Sequence, residues 1–246
     1  MDFTIILYII FGILPSLTWL FYYLRKDLHP EPKRMIVKIF LWGAVITIPV
    51  FFVQIGLASL LEKSNLNPII TSLIYWFIVI SFTEELFKYF VVKMKALNSP
   101  DMDEPMDIVI YMVVAALGFA ALENVLYLFS PVGQLSFEAI LSRTLLISFI
   151  RFVGATFLHT LCSAVIGYAI AISYCDEKNR STEFIFGLAM AVLLHGLYDF
   201  SIMTLDGNLK LVIPAIVIVA LAILVFSGFT RLKKMKSVCE VELTSI

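Results

Sequence analysis

Two adjacent carboxylates, Glu84 and Glu85, lie within the apolar stretch from Pro68 to Val92, and Lys88 follows one helical turn later. A charge near the centre of a membrane helix costs about 2.5 to 3.5 kcal/mol on the insertion scale, so solubility does not account for these groups. Residues three or four apart lie on one face of a helix, so Lys88 can pair with either glutamate. One glutamate would suffice for a structural pair, and the second predicts a polar, functional site inside a membrane protein.

Polar residues also occur in three further apolar segments of the chain. They are Glu123, Asn124, Arg151, His159, His195 and Asp199. Without partners, the six ionisable groups other than histidine would cost on the order of 15 to 20 kcal/mol, more than the net stability of a typical domain. We therefore expect these groups to face one another across the bundle interior, or to line a cavity that holds water. Arg151 begins its segment and is expected to anchor it at the interface or to pair with a glutamate.

Structural roles have to be weighed for several of these residues. His159 alone is as easily a core histidine bonded to a neighbouring helix, and Glu123 with Asn124 could clamp two helices together. His195 is a stronger candidate, because Asp199 lies one turn away and a carboxylate in that position fixes the orientation of an imidazole. General bases and metal ligands both need such a partner.

The composition and the apolar runs of the chain predict the helices that hold these residues. With 61% hydrophobic residues, 15% charged residues and a mean hydropathy of +0.96, the chain is predicted to be a polytopic membrane protein. Apolar runs long enough to cross about 30 Å of hydrocarbon occur at roughly 3–24, 36–60, 68–92, 107–129, 152–174, 184–204 and 210–230. These runs predict an all-α bundle of seven transmembrane helices. The segment from Ser136 to Ile150 could be interfacial, re-entrant or an extension of the fifth span, and it leaves an eighth crossing open.

The chain is predicted to form one membrane-embedded domain over residues 1–230, followed by a short basic tail over 231–246. Basic residues crowd one set of loops. That set holds Arg25, Lys26, Lys33, Arg34, Lys38, Lys93, Lys95, Lys178, Arg180, Arg231, Lys233, Lys234 and Lys236, whereas the other holds Lys63, Arg143 and Lys210. Since basic loops stay in the cytoplasm, the amino terminus is predicted outside and the tail in the cytoplasm.

Cysteine usage says little about a covalent framework. Cys162, Cys175 and Cys239 are an odd number without metal-ligand spacing, so no disulfide framework is expected. We expect a multi-pass protein of a bacterial cell membrane, in contact with the lipid bilayer and without a nucleic-acid partner.

Five motifs occur in an order that resembles one known family. They are Asp27-Leu-His-Pro-Glu-Pro32, Glu84-Glu85-x-x-Lys88, Asp103-Glu-Pro-Met-Asp107 leading through Tyr111 to Gly118-Phe-Ala-Ala-Leu-Glu-Asn124, His159 ahead of Gly167, and His195-x-x-x-Asp199. The chain resembles the PrsW-type intramembrane proteases, within the wider group that includes the membrane endopeptidases of prenylated CAAX proteins. The resemblance implies peptide-bond hydrolysis in or at the edge of the membrane, with membrane-anchored anti-sigma factors as one substrate class.

The chemistry of such a reaction can be assigned to residue types. Peptide hydrolysis needs an activated water, a group that stabilises the oxyanion and a proton donor for the leaving amine. Two neighbouring carboxylates in a low-dielectric site cannot comfortably both ionise. We therefore expect Glu84 or Glu85 to be the general base on water, with the other held by Lys88.

The remaining candidates would assist that base. His159 and His195 would polarise the carbonyl or protonate the leaving nitrogen, and Asp199 would orient His195. Asn124 offers an amide donor to the oxyanion, and Glu123 next to it is a further catalytic candidate.

A metal could use the same atoms differently. Glu84, Glu123, His159 and His195, from separate helices, could hold zinc with one position left open for water. The sequence lacks a His-Glu-x-x-His motif, so this alternative depends on geometry across helices, and metal-independent glutamate chemistry is favoured.

Two other function classes remain open at this stage. A transporter or proton relay would also place Glu, His and Asp in adjacent spans, although the sequence has no visible inverted repeat or paired broken helices. A non-catalytic relative that only binds membrane helices would fit the same fold, although every motif residue is retained.

Overall fold

The computed structural model describes residues 3–25, 30–130, 135–174 and 178–232, and the regular elements of these ranges are all helices. The helices are α1 (Phe3–Leu24), α2 (Lys33–Glu62), α3 (Pro68–Ile74), a π-helical segment (Tyr75–Phe82), α4 (Thr83–Lys95), α5 (Pro105–Leu128), α6 (Phe137–Val153), α7 (Ala155–Ile172), α8 (Arg180–Thr204) and α9 (Leu209–Leu232).

Seven helical units within the described ranges are long and apolar enough to cross a membrane. The third unit, Pro68–Lys95, joins α3, the π-helical segment and α4, and the fifth, Phe137–Ile172, joins α6 and α7. The predicted all-α bundle with seven spans is confirmed. Because α6 runs directly into α7, the Ser136–Ile150 segment extends the fifth span and adds no further crossing.

Helix α5 forms the centre of the bundle. It lies between α2 and α7, and Tyr111, Leu117 and Phe119 on it are fully buried. Where α5 crosses α2, a Cβ atom at Gly118 would collide with the backbone carbonyl of Phe40. Small residues of this kind let two membrane helices approach closely, and here Gly118 lets α5 pack against α2.

Two irregularities adjust the helices that carry the predicted site. The π-helical segment ends at Phe82, two residues before Glu84, and π-helical turns are frequent at functional sites. In the fifth span, Gly154 interrupts the helix, with φ −96° and ψ −95°. A Cβ atom there would collide with the Tyr198 hydroxyl, so this glycine lets α8 approach the junction of α6 and α7.

Several sequence predictions fall on residues outside the described ranges. These are the tail beyond Leu232, the residues from Lys26 to His29, and Cys175 and Cys239. Cys162 is buried and is a free thiol. The orientation across the membrane and the division into one domain and a tail stay predictions.

Candidate active site

Polar side chains from six helices meet in one buried group, which we call the Glu84 cluster. It contains the eight residues that the sequence predicts as catalytic or supporting, namely Glu84, Glu85 and Lys88 of α4, Glu123 and Asn124 of α5, His159 of α7, and His195 and Asp199 of α8. Gln54 of α2, Arg151 of α6 and Ser163 of α7 complete it. The side chains of Glu123 and Asp199 are 20% and 22% exposed, so the cluster is most open on their side.

Both carboxylate oxygens of Glu85 contact polar side chains. Its Oε1 atom accepts a 2.8 Å hydrogen bond from Lys88 Nζ and lies 2.9 Å from His195 Nδ1. Its Oε2 atom accepts a 3.0 Å hydrogen bond from Ser163 Oγ. With Glu85 and Lys88 both fully buried, this is an ion pair whose loss would leave an uncompensated charge.

Glu84 differs from its neighbour in having one free oxygen. Its Oε1 atom accepts a 3.2 Å hydrogen bond from Gln54 Nε2. Its Oε2 atom is buried and has no hydrogen-bond partner among the described residues. Three nitrogens surround this oxygen, Lys88 Nζ at 3.6 Å, His159 Nδ1 at 3.8 Å and His195 Nε2 at 3.9 Å. These distances exceed a hydrogen bond, and we call the separation of 3.8 to 3.9 Å between Glu84 Oε2 and the two imidazole nitrogens the gap.

His159 is oriented through both of its ring nitrogens. Nδ1 lies 2.7 Å from Lys88 Nζ, and Nε2 lies 2.8 Å from Glu123 Oε2. Since an ammonium group can only donate, we assign Nδ1 as the acceptor and Nε2 as the protonated nitrogen that donates to Glu123. The lone pair of His159 Nδ1 therefore points at Lys88 Nζ, and the same nitrogen lies 3.8 Å from Glu84 Oε2.

His195 is held between carboxylates. Its Nδ1 faces Glu85, and its Nε2 lies 3.3 Å from Asp199 Oδ2 as well as 3.9 Å from Glu84 Oε2. The two imidazole rings stand edge to face, with centroids 5.0 Å apart. Asp199 thus contacts His195 across one helical turn, as expected from the sequence, and a third carboxylate, Glu85, contacts the opposite side of the ring.

Arg151 supports the end of α5 from the last turn of α6. Its Nη2 donates a 2.6 Å hydrogen bond to Glu123 Oε2, its Nε donates to Asn124 Oδ1, and the guanidinium lies 4.0 Å above the Tyr127 ring. The Asn124 amide in turn donates to Thr156 Oγ1 at 3.0 Å. In this arrangement Asn124 joins Arg151 to α7, and its role at an oxyanion stays a prediction.

The sequence reasoning missed the neutral polar members of the cluster. Gln54 and Ser163 contact Glu84 and Glu85 directly, yet an enumeration of ionisable residues passes over them. A usable signal existed for Gln54, because it is the only polar residue of α2 between Thr47 and Ser59. Ser163 has no comparable signal, since serines are common in buried membrane helices.

A divalent metal ion fits the donor set around the gap. One oxygen of Glu84 and one nitrogen each of His159 and His195 lie within 4.8 Å of one another, and a carboxylate with two imidazoles is a zinc donor set. Each histidine also contacts a carboxylate through its other nitrogen, as metal-bound histidines usually do. Glu123, an alternative ligand in the sequence analysis, contacts His159 from behind and is not in this set.

Lys88 competes with that metal arrangement. Its ammonium group lies 2.7 Å from His159 Nδ1, the nitrogen that faces Glu84. A metal ion bound through Nδ1 would therefore require Lys88 to withdraw toward Glu85.

Comparison with known proteins gives one family for this chain and for its relatives. Residues 31–227 match the model of a family described as PrsW family intramembrane metalloprotease. The protein named protease PrsW from Bacillus subtilis is 29% identical over 92% of this chain and 94% of its own length. The proteins of that name from Halalkalibacterium halodurans and Oceanobacillus iheyensis are 31% and 29% identical, over 76% and 77% of this chain and 80% of each relative. No solved structure matches the chain.

Proposed function

Because the chain belongs to the PrsW family of intramembrane metalloproteases, we propose that the Glu84 cluster is the active site of an intramembrane endopeptidase. The chain is a multi-pass membrane protein and a peptidase. Its substrates, in this proposal, are membrane-anchored proteins of the anti-sigma-factor type, the class that the sequence resemblance implies. The observation that supports the site is the buried, unpartnered Oε2 atom of Glu84, which faces two imidazole nitrogens.

Glu84, and not Glu85, is the proposed general base. A base must keep a free lone pair toward the water that it deprotonates, and of these two glutamates Glu84 has an oxygen without a hydrogen-bond partner in the described part of the chain. Both oxygens of Glu85 already accept hydrogen bonds from Lys88 and Ser163. Glu85 instead holds Lys88 and His195 in place.

The reaction would proceed by attack of water on the scissile carbonyl carbon. Glu84 Oε2 takes a proton from the water, the resulting hydroxide adds to the carbonyl, and the oxyanion is stabilised by a donor from His195. When the C–N bond breaks, the proton that Glu84 took from the water passes to the leaving nitrogen. The products are a carboxylate and an amine.

The outer members of the cluster orient the inner ones. Glu123, paired with Arg151, holds the His159 ring by its Nε2 atom. Asp199 does the same for His195 at Nε2. Partners of this kind contribute about 10- to 100-fold at metal-bound histidines, because they fix the tautomer and the ring orientation, and we expect a similar contribution here.

If a metal takes part, Glu84, His159 and His195 would hold it. A bound metal would supply a Lewis acid and a water of lowered pKa. We favour chemistry by Glu84 without a metal, because the Lys88 ammonium already faces the lone pair of His159. Purified protein is then expected to keep its activity after treatment with a chelator. Stoichiometric zinc, together with loss of activity on its removal and recovery on its return, would contradict this preference.

Replacing Glu84 with Gln tests the proposed site. The probe is a single-pass, anti-sigma-factor-type protein, reconstituted in liposomes with the purified peptidase. Glu84→Gln keeps the shape and the Gln54 contact region but removes the base, so we expect a rate at least about 10²-fold lower and an unchanged thermal unfolding curve. Glu138→Gln, at an exposed position on α6, is the matched control and should cleave normally.

Each outcome of this assay has a clear meaning. Near-normal cleavage by Glu84→Gln would overturn the assignment of Glu84 as the base. Failure of the wild-type protein to cleave the probe would overturn the proposed substrate class.

We also propose that the amino terminus faces outside and the basic tail lies in a bacterial cytoplasm. The excess of Lys and Arg in one set of loops supports this orientation. In a variant without native cysteines, Asn65→Cys should react with a membrane-impermeant thiol reagent added to intact cells. Ser99→Cys should react only after the cells are opened, and the reverse pattern would invert the orientation.

A further inference from the structure

Gln54 is a polar amide residue in an otherwise apolar part of helix α2. It lies in the part of α2 that follows Pro49, among side chains such as Phe52 and Ile55 that are exposed on the bundle surface. A primary amide in hydrocarbon needs hydrogen-bond partners, because leaving it without them costs free energy. The partners of Gln54 Nε2 are Glu84 Oε1 at 3.2 Å and Thr83 Oγ1 at 3.4 Å.

This contact bears on the direction of the other Glu84 oxygen. The terminal torsion of a glutamate is soft, so packing alone does not fix which way its two oxygens point. The two oxygens belong to one planar group, and a hydrogen bond on Oε1 therefore sets the position of Oε2. With Oε1 on Gln54, Oε2 lies in the gap between His159 and His195.

The chemical type of Gln54 suits this task. A cationic donor at the same place would form an ion pair with Glu84 and weaken it as a base. An amide holds the carboxylate without cancelling its charge. The nearest cation, Lys88, stands 3.6 Å from Glu84 Oε2 and donates to Glu85 instead.

We infer that Gln54 is a positioning residue, which acts through Glu84 by holding Oε1 so that Oε2 is directed at the water. The inference rests on the proposed function. A purely structural alternative also exists, in which the amide only joins α2 to the third span. The two differ in what a substitution changes, because a helix clamp affects unfolding and a positioning residue affects the chemical step.

Gln54→Met is the direct test, since Met keeps the length of the side chain and removes the donor. We expect kcat to fall about 10- to 100-fold, by analogy with the partners that orient metal ligands. We expect KM and the thermal unfolding curve to stay unchanged, because substrate binding and helix packing are preserved. The assay is cleavage of the reconstituted anti-sigma-factor-type probe.

Thr47→Val is the matched control on the same helix. Thr47 is buried and its hydroxyl contacts the backbone carbonyls of Gly43 and Phe119, so the substitution also removes a polar group from α2. It does not touch Glu84 and should leave kcat unchanged.

A second variant covers the case in which Gln54→Met unfolds more easily. Gln54→Asn keeps an amide at this position but withdraws it by about one C–C bond, 1.5 Å, which takes it out of reach of Glu84. It should show the same loss of kcat. Normal kcat in both variants, or an equal loss in Thr47→Val, would overturn the role of Gln54.

Failure of this inference is distinguishable from failure of the proposed function. If Glu84→Gln abolishes cleavage while both Gln54 variants cleave normally, only the positioning role is wrong. If Glu84→Gln cleaves normally, the proposed base is wrong and Gln54 has no catalytic group to position.

Discussion

Acidic side chains cluster near both ends of helix α5. The two clusters differ in whether all of their buried oxygens have hydrogen-bond partners. Asp107 lies in the first turn of α5 and Glu123 in its last turns, about 24 Å apart along the axis at 1.5 Å per residue. The group around Asp107 has all of its buried oxygens paired. The Glu84 cluster at the other end contains a buried oxygen, Glu84 Oε2, that has no hydrogen-bond partner within the described ranges.

The group around Asp107 is a helix start with an added tether. Asp107 Oδ2 accepts the backbone N–H groups of Asp103 at 3.0 Å and Glu104 at 2.7 Å, and Glu104 completes a capping box. One turn later, the Tyr111 hydroxyl donates to Glu31, which precedes α2. These contacts pair the backbone N–H groups that directly precede α5, the capping box pairs the N–H group of Asp107, and the Tyr111 hydroxyl fastens the segment before α2 to α5.

The comparison suggests how to separate structural from catalytic acids in a membrane. A buried acceptor without a donor costs about 1 to 3 kcal/mol, so the free oxygen of Glu84 weakens the fold and calls for another explanation. The acids around Asp107 need no such explanation. Substitutions at the two ends of α5 should therefore affect different measured quantities.

The largest effect on stability is expected inside the Glu84 cluster, at Glu85. Glu85→Gln removes the anion that lies 2.8 Å from the fully buried Lys88 ammonium. Breaking one partner from a buried ion pair typically costs about 3 to 5 kcal/mol, so the free energy of unfolding in an SDS titration should fall by that amount. Glu84→Gln should change it far less, and equal destabilisation by the two variants would contradict the division between these glutamates.

A smaller loss of stability is expected at the other end of α5. Asp107→Ala removes the acceptor for two backbone N–H groups and should lower the free energy of unfolding by about 2 kcal/mol, the upper range for helix caps. The kcat of the protein that remains folded should stay normal. A loss of kcat at unchanged stability would show that the two acidic groups are coupled.

Tyr111→Phe should have a weaker effect of the same kind. It leaves the largely buried Glu31 carboxylate without the hydroxyl that donates to it. Removing one partner of a buried hydrogen bond costs about 1 to 3 kcal/mol, and the same SDS titration measures it. Stability equal to that of the wild type would indicate that Glu31 finds another donor or solvent.

Much of this arrangement could be predicted from the sequence because a charge in a membrane helix is conspicuous. The seven spans and the meeting of Glu84, His159 and His195 follow from hydropathy and from the cost of facing lipid with a charge. The start of the fifth span could not be placed, because Glu138 and Arg143 made its first half look too polar to cross.

The different roles of Glu84 and Glu85 could not be predicted from the sequence either. Adjacent residues on a helix point about 100° apart, so only packing decides which of them meets Lys88 and Ser163 and which meets Gln54. The π-helical segment before Thr83 adds to this uncertainty, since a change of helix type rotates every following side chain.

The smallest expected effect tests whether Asn124 belongs to the structural or the chemical part of the cluster. Thr156→Ala removes the hydroxyl that accepts the Asn124 amide at 3.0 Å, but leaves the Arg151 contact in place. A hydrogen bond between membrane helices contributes about 0.6 kcal/mol on average, so unfolding should become only slightly easier.

The rate is the informative measurement in this variant. If Asn124 only joins Arg151 to α7, kcat should change by less than about threefold, given that 1.36 kcal/mol corresponds to tenfold. If the Asn124 amide instead reaches the oxyanion during the reaction, releasing it from Thr156 should alter kcat by much more than stability, in either direction. Asn124→Asp separates these cases further, because it keeps the oxygen that faces Arg151 and removes the amide donor. A large loss of kcat in Asn124→Asp at normal stability would move Asn124 from the structural part of the cluster to the catalytic part.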